Sequence, residues 1–134
     1  RLNLEELTKK NDLNKVVKFK GFQSDTERYY NDMHVFALPS DEECLSMAAI
    51  DAGVKGIPIV AFDVGGNAEI IDSGKTGFIV NTKEEFFERI YYLVTNKNIR
   101  EQMGEAAHIY CSVKFGKEKH LAQLNALYKE FHLM

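Results

Sequence analysis

The fold is decided between His34 and Phe62. There His34-Val35-Phe36-Ala37-Leu38 leads through Pro39-Ser40-Asp41-Glu42-Glu43-Cys44-Leu45-Ser46 into a helical stretch, which ends at Gly56-Ile57-Pro58 before Ile59-Val60-Ala61-Phe62. The two apolar runs are short and do not alternate with polar residues, as expected of strands covered on both faces. The spacing predicts a helix from about Ser46 to Lys55. Gly56 supplies the left-handed residue that ends a helix, and Pro58 cannot continue one. A strand, a helix and a second strand in this order form a crossover unit, so the two strands are expected to run parallel.

Working outward, two further runs of the same character, Val16 to Phe19 and Gly77 to Val80, bring the predicted strands to four. Leu4 and Leu7 share one face of a short first helix, and Ser24 with Glu27 offers a capping box for a second. After Val80 the rhythm becomes helical. Thr82 and Glu85 form another capping box, and apolar residues recur at helical spacing in three sets: Phe86, Ile90 and Leu93; Ile99, Met103, Ala107 and Tyr110; Leu121, Leu124, Leu127 and Phe131. The whole reads as one α/β domain over 1–134 with a helical C-terminal segment, without repeats or linkers. A nucleotide-binding unit of this kind usually opens with a strand and a Gly-rich turn, whereas this chain opens on a helix. We therefore expect a piece of a larger protein that lacks its first strand or strands.

Composition narrows the function classes. The chain has 134 residues, 45% of them hydrophobic, with 17 Lys and Arg against 20 Asp and Glu and a net charge of −3. At this length roughly two thirds of the unfolded surface is buried, enough for a core without disulfides or metals. No apolar run approaches the roughly 20 residues of a membrane span, and no secretory signal is visible. Mild acidity without a dense basic run argues against a nucleic-acid partner. Cys44 and Cys111 lack metal-binding spacing and a disulfide framework, which fits a reducing cytoplasm.

Several apparent motifs fail. Gly74-Lys75-Thr76 resembles the end of a phosphate-binding loop, but Glu69 occupies the position of the required first glycine, so a tight turn is expected. Gly65-Gly66 alone marks a turn. His108 and Cys111 lie one helical turn apart without a second pair of ligands, and Cys111 reads as a core residue beside Tyr110. His34 reads as a hydrogen-bonded core or edge histidine at the start of its strand, and His120 and His132 as surface residues. No nucleophile elbow is present.

The chemistry concentrates in residues 39–51. In an open parallel sheet, ligands bind at the carboxyl ends of the strands, where helix N-termini present unpaired N–H groups with a partial positive charge. The N–H groups of Cys44, Leu45 and Ser46 suit an anion such as a diphosphate. Glu43 and Asp51 lie on either side, and a carboxylate hydrogen-bonds vicinal hydroxyls of a sugar well. The plainer reading leaves Asp41 to Glu43 as charges that complement the helix dipole.

Five blocks in order resemble the C-terminal domain of GT-B glycosyltransferases, specifically the retaining family 4 enzymes. They are Val16 to Phe22, Asp32 to Ser40, Glu43 to Ala61, Asp63 to Ile71 and Thr76 to Val80, collinear over about 65 residues. The resemblance implies a Rossmann-like parallel sheet flanked by helices, and a donor site with a glutamate, seven residues and a second glutamate. Glu43 matches the first and is implied as the catalytic residue at the donor sugar; Asp51 stands at the second and would bind ribose. The N–H groups of Cys44, Leu45 and Ser46 would hold the diphosphate, and Gly21 and Phe22 match the loop against the base. The block with Gly65-Gly66 and Glu69 would shape the rim. The chain departs from the pattern at two places: Asp51 is one methylene shorter than glutamate, and Cys44 replaces a glycine.

The implied reaction is retaining transfer of a sugar from a UDP- or GDP-sugar donor to a saccharide or lipid-linked acceptor, with no metal. The Arg and Lys that neutralise the leaving diphosphate, and the N-terminal acceptor-binding domain, would lie upstream of Arg1. The isolated chain is accordingly expected to bind donor weakly and to turn nothing over, in the cytoplasm or peripherally at the cytoplasmic membrane face. Three alternatives remain open: a non-catalytic or split nucleotide-sugar-binding subunit that needs a partner chain, a nucleotide-sugar epimerase of the same fold, and a metal-binding carboxylate pair at Asp41-x-Glu43.

Overall fold

The computed structural model describes residues 2–131. The element order is α1 (Leu2–Lys10), α2 (Glu27–Tyr30), β1 (Phe36–Leu38), α3 (Met47–Val54), β2 (Ile59–Phe62), α4 (Asn67–Ile70), β3 (Gly77–Val80), α5 (Lys83–Thr95), α6 (Lys97–Lys114) and α7 (Lys117–Glu130). The three strands form a parallel sheet in the order β1-β2-β3, with Phe36 opposite Ile59 and Ile59 opposite Gly77.

The sheet explains the unbroken apolar runs. Alternate residues of β2 enter different cores: Ile59 and Ala61 pack with Ala49, Ile50, Ala52, Ile57 and Cys111 on the α3 and α6 side. Val60 and the half-buried Phe62 pack with Val80, Phe86, Leu93 and Met103 on the α5 side. Ile59, Val60 and Ala61 are all fully buried. α6 lies close against α3, since a Cβ added at Gly53 would stand 2.4 Å from the Cys111 Sγ.

The helix boundaries follow their caps. Ser46 caps α3, its side chain accepting from the Ala49 N–H, and Gly56 follows the C-cap Lys55 with φ +75°. Thr82 accepts from the Glu85 N–H, but the Glu85 carboxylate takes the Asn81 N–H, so the box closes one residue early. The Thr82 and Glu85 pair thus starts α5 where the sequence places it.

Four expectations require correction. Val16 to Phe19 is not a strand: Val16 and Val17 turn back onto the Leu13 carbonyl, and among the described residues nothing pairs with Lys18 or Phe19. An apolar run without a neighbouring strand has no ladder to join, and Val16 remains 73% exposed. The Ser24 and Glu27 capping box does not form. The helix starts at Glu27 itself, so Glu27 is its first residue and not the third-position partner a Ser24 box needs; the cap is Thr26, without a side-chain hydrogen bond, and Glu27 pairs with Lys55. The second strand starts at Phe36, whose N–H reaches the Pro58 carbonyl, which leaves His34 in a bend, exposed and without a hydrogen bond among the described residues. Finally, α7 forms as predicted, but its stripe stays uncovered, with Leu121, Leu127 and Phe131 exposed. Cys111 is the expected core residue, while His108 bonds the Val54 carbonyl and His120 is exposed. His132 lies outside the described residues.

Candidate functional site

The loop after β1 carries the site. Pro39 ends the strand, and the chain climbs across the carboxyl edge of the sheet to the Ser46 cap. Within it Ser40 Oγ donates to Glu43 Oε1 at 2.9 Å, which holds the half-buried Glu43 carboxylate over the strand end. Among the described residues nothing accepts from the N–H groups of Cys44, Leu45 or Ser46. Three backbone donors are therefore unengaged at the N-terminus of α3, where the helix dipole adds positive potential, although Ser46 itself is buried.

A second loop clamps this one. The Gly66 N–H donates to the Cys44 carbonyl at 2.7 Å. Gly65 has φ +51°, and a Cβ there would lie 1.5 Å from the Glu43 carbonyl oxygen; one at Gly66 would lie 2.3 Å from that of Cys44. The paired glycines let the β2 loop touch the backbone on which Glu43 sits, which gives the rim-shaping expectation a physical content. Asn67 secures the turn from behind: fully buried, it donates from Nδ2 to the Phe62 carbonyl at 3.0 Å.

Asp51 lies on α3 five residues past the cap, about 7.5 Å along the axis at 1.5 Å per residue. It is exposed beside a depression of about 220 Å³ lined by Thr26, Glu27, Tyr30, Asp51, Val54 and Lys55. Tyr30 closes one wall, donating its hydroxyl to the Ala48 carbonyl. Burial raises the Tyr30 pKa, and the Asp51 charge adds to the rise. Lys55 hydrogen-bonds Glu27 and holds that carboxyl below its usual pKa. Gly21, with φ +64°, and Phe22, 95% exposed, stand before α2 without a hydrogen bond or ring contact to α3. The structure thus brings Glu43, the three N–H groups and Asp51 onto one loop and helix, and leaves Gly21 and Phe22 apart from them.

Sequence reasoning missed a second depression at the same sheet edge. It measures about 270 Å³ and is lined by Ser40, Asp41, Phe62, Asp63, Val64, Val80, Asn81 and Lys83. Its signal was present in the sequence: Asp63 and Asn81 each follow the last residue of a strand, as Pro39 and Ser40 do after β1. Among the described residues no group of three or more His, Cys, Asp or Glu is placed to hold a metal ion. No helix there is long and apolar enough to cross a membrane.

Comparison with known proteins extends this picture. The capsular polysaccharide biosynthesis glycosyltransferase CapM of Staphylococcus aureus is 30% identical over 111 residues, 81% of this chain and 29% of the relative. A D-inositol 3-phosphate glycosyltransferase of Corynebacterium jeikeium is 30% identical over 103 residues, 75% of this chain and 24% of the relative. The chain spans about a third of the length of the curated relatives it matches. Among solved structures, sucrose-phosphate synthase from Thermosynechococcus elongatus superposes with a TM-score of 0.87 at 24% identity, covering 97% of this chain and 34% of that one. Anabaena Alr3699/HepE in complex with UDP gives 0.89 at 21% identity, covering 96% and 36%. At these identities the likeness speaks for the fold alone, that of a GT-B C-terminal domain. The family profile described as glycosyl transferases group 1 matches residues 1–109. With most of its length inside that profile, this chain belongs to the group 1 glycosyl transferase family.

Proposed function

We propose that the chain is the donor-binding part of a retaining, family 4 glycosyltransferase that uses a nucleoside-diphosphate sugar. The observation that carries the reading is the α3 N-terminus: three unengaged N–H groups between a Ser40-held Glu43 and an exposed Asp51. In this reading the N–H groups of Cys44, Leu45 and Ser46 hold the diphosphate, Asp51 binds the ribose hydroxyls, and Gly21 and Phe22 border the base. UDP is present in the Alr3699/HepE complex, a structural neighbour, which supports a uridine or related nucleotide. CapM acts in capsular polysaccharide biosynthesis, which supports a saccharide or lipid-linked acceptor.

The chemistry follows from the charge that develops. The bond between the anomeric carbon and the diphosphate oxygen breaks, its electron pair leaves with the phosphate, and the acceptor hydroxyl attacks the same face while giving its proton to the departing phosphate oxygen. In this reading the backbone donors of Cys44, Leu45 and Ser46 stabilise the charge on the leaving group, and preorganised donors of that kind supply the largest single term of such catalysis. In this reading Glu43 supports the positive anomeric centre. This reading takes no metal. Its further cations and its acceptor-binding domain come from a part of the protein N-terminal to Arg1, so the chain alone binds donor weakly and transfers nothing.

Calorimetric titration with UDP, GDP and their hexose conjugates tests this. Saturable binding of one nucleotide, weakened about tenfold by Asp51→Ala through loss of a charge-assisted hydrogen bond, is the expected result. Equal binding by the wild type and Asp51→Ala, or sugar transfer by the chain alone, contradicts it.

A further inference from the structure

A further cavity lies on the α5 side of the sheet and shares no lining residue with the Glu43 loop or with the depression beside Asp51. It measures about 570 Å³, inside the roughly 300–1,000 Å³ of small-molecule sites, and opens between the turn before β3, α5 and α6. Its walls follow from helical spacing. Arg89 and Tyr92 stand three residues apart on α5, and Ile99, Gln102 and Met103 recur at intervals of three and four on α6, so each helix presents one face to the gap. Asn96 alone joins the two helices.

The floor is apolar and the rim is cationic. Phe78, Ile99 and Met103 belong to the core on this side of the sheet and reach the cavity from below. The Arg89 guanidinium stands 4.7 Å from the centroid of the Phe78 ring, and Tyr92 meets the same ring edge-on at 6.1 Å. A cation held over a ring keeps its N–H groups for other partners. Among the described residues the Arg89 guanidinium, the Tyr92 hydroxyl and the Gln102 amide have no hydrogen-bond or ion-pair partner. The second cation of the rim, Lys75, is paired with Asp72 at 2.9 Å. No acidic side chain lines the space, so the charge of Arg89 is uncompensated there.

That combination selects the occupant. A neutral apolar molecule leaves the guanidinium unanswered, and a bare inorganic anion leaves the floor uncovered, whereas a carboxylate or phosphate accepts two parallel N–H bonds from an arginine fork. A peptide strand added to β3 finds no continuous ladder, because the preceding turn already engages it: the Gly74 N–H donates to the Gly77 carbonyl at 2.8 Å and the Ile79 N–H to Ser73 Oγ at 3.1 Å. We infer that this cavity binds a small amphiphilic anion, one carboxylate or phosphate on an apolar body, with Arg89 anchoring the charged end and Tyr92 and Gln102 as further donors. The site uses neither Glu43, Asp51 nor the N–H groups of α3, so it stands or falls independently of the donor reading.

Amide shift mapping of the 15N-labelled chain with phenyl phosphate and with phenylacetate tests it, beside inorganic phosphate and benzyl alcohol as the two halves of the ligand. Phenyl phosphate or phenylacetate should move the amides of Phe78, Arg89, Tyr92 and Gln102 saturably, with an affinity at least about tenfold above that of either half, and the tighter of the two names the charged group. Arg89→Gln should weaken that anion about tenfold through loss of a charge-assisted hydrogen bond, and Arg89→Lys, which keeps the charge without the fork, should weaken it less. Absence of saturable shifts at these residues with either anion at millimolar concentration overturns the inference. Benzyl alcohol binding as tightly as the anions, or affinity unchanged in Arg89→Gln, overturns it too, since the cavity is then an apolar crevice without selection for charge.

Discussion

Replacing Gly65 by alanine tests how tightly the glycine turn holds the Glu43 loop, with Gly74→Ala as the control. Both glycines have positive φ, +51° and +88°, so either alanine incurs the left-handed penalty of about 1–2 kcal/mol. They differ in space. Nothing lies within 4 Å of a Cβ at Gly74, whereas at Gly65 the Glu43 carbonyl oxygen is 1.5 Å away. Cβ contacts essentially never fall below 3.0 Å, so the Glu43 loop must retreat by at least 3.0 − 1.5 = 1.5 Å. That loop is exposed and yields without compressing the core, but retreat breaks the bond from the Gly66 N–H to the Cys44 carbonyl, about 0.5–1.5 kcal/mol more. The expected losses are thus about 1–2 kcal/mol for Gly74→Ala and about 1.5–3.5 kcal/mol for Gly65→Ala, read from urea denaturation. Nucleotide affinity should fall at least about tenfold in Gly65→Ala alone, since the N–H donors move with the loop. Equal stabilities, or unchanged affinity in Gly65→Ala, would refute the reasoning.

Three further outcomes follow from the packing. Gly53→Ala should destabilise by about 1–3 kcal/mol although alanine favours helices, because its Cβ meets the Cys111 Sγ at 2.4 Å; Cys111→Ala in the same chain should restore most of the loss in thermal melts. Asn67→Asp should place a carboxylate at a fully buried position and exchange the Nδ2 donor to the Phe62 carbonyl for an acceptor. Burial raises that carboxyl's pKa above its unfolded value, so the deficit against wild type is large at neutral pH and narrows as pH falls through the folded pKa. Tyr30 carries a raised pKa, so its contribution is present below its ordinary value of 10.0 and is lost as pH rises beyond it. Tyr30→Phe should lose about 1 kcal/mol at neutral pH with the hydrogen bond to Ala48, yet show a shallower alkaline decline in urea midpoint.

The sequence was most legible where one residue has one physical use. Ser46, Gly56 and Pro58 bracket α3, and the unbroken Ile59 to Phe62 run identifies a strand that feeds two cores. The same reading failed at Val16 to Phe19, because an apolar run records a tendency and a strand needs a neighbour. It failed at Glu27, which begins α2 rather than standing in its third position and which pairs with Lys55, 28 residues away in sequence. Glu43 and Asp51 stand out in the sequence by their spacing around a helix start, and that start forms at the Ser46 cap. The cavity was not, since Ser40, Asp63 and Asn81 come from three loops whose nearness exists only once the strands are side by side.

The central claim is that a nucleoside diphosphate binds at the α3 N-terminus, and amide shift mapping of the 15N-labelled chain with UDP and GDP tests it most directly. The account predicts that the largest shifts fall on Cys44, Leu45 and Ser46, with smaller ones near Asp51, and that they shrink in Gly65→Ala. Saturable shifts confined to other elements, or none at millimolar nucleotide, would contradict it.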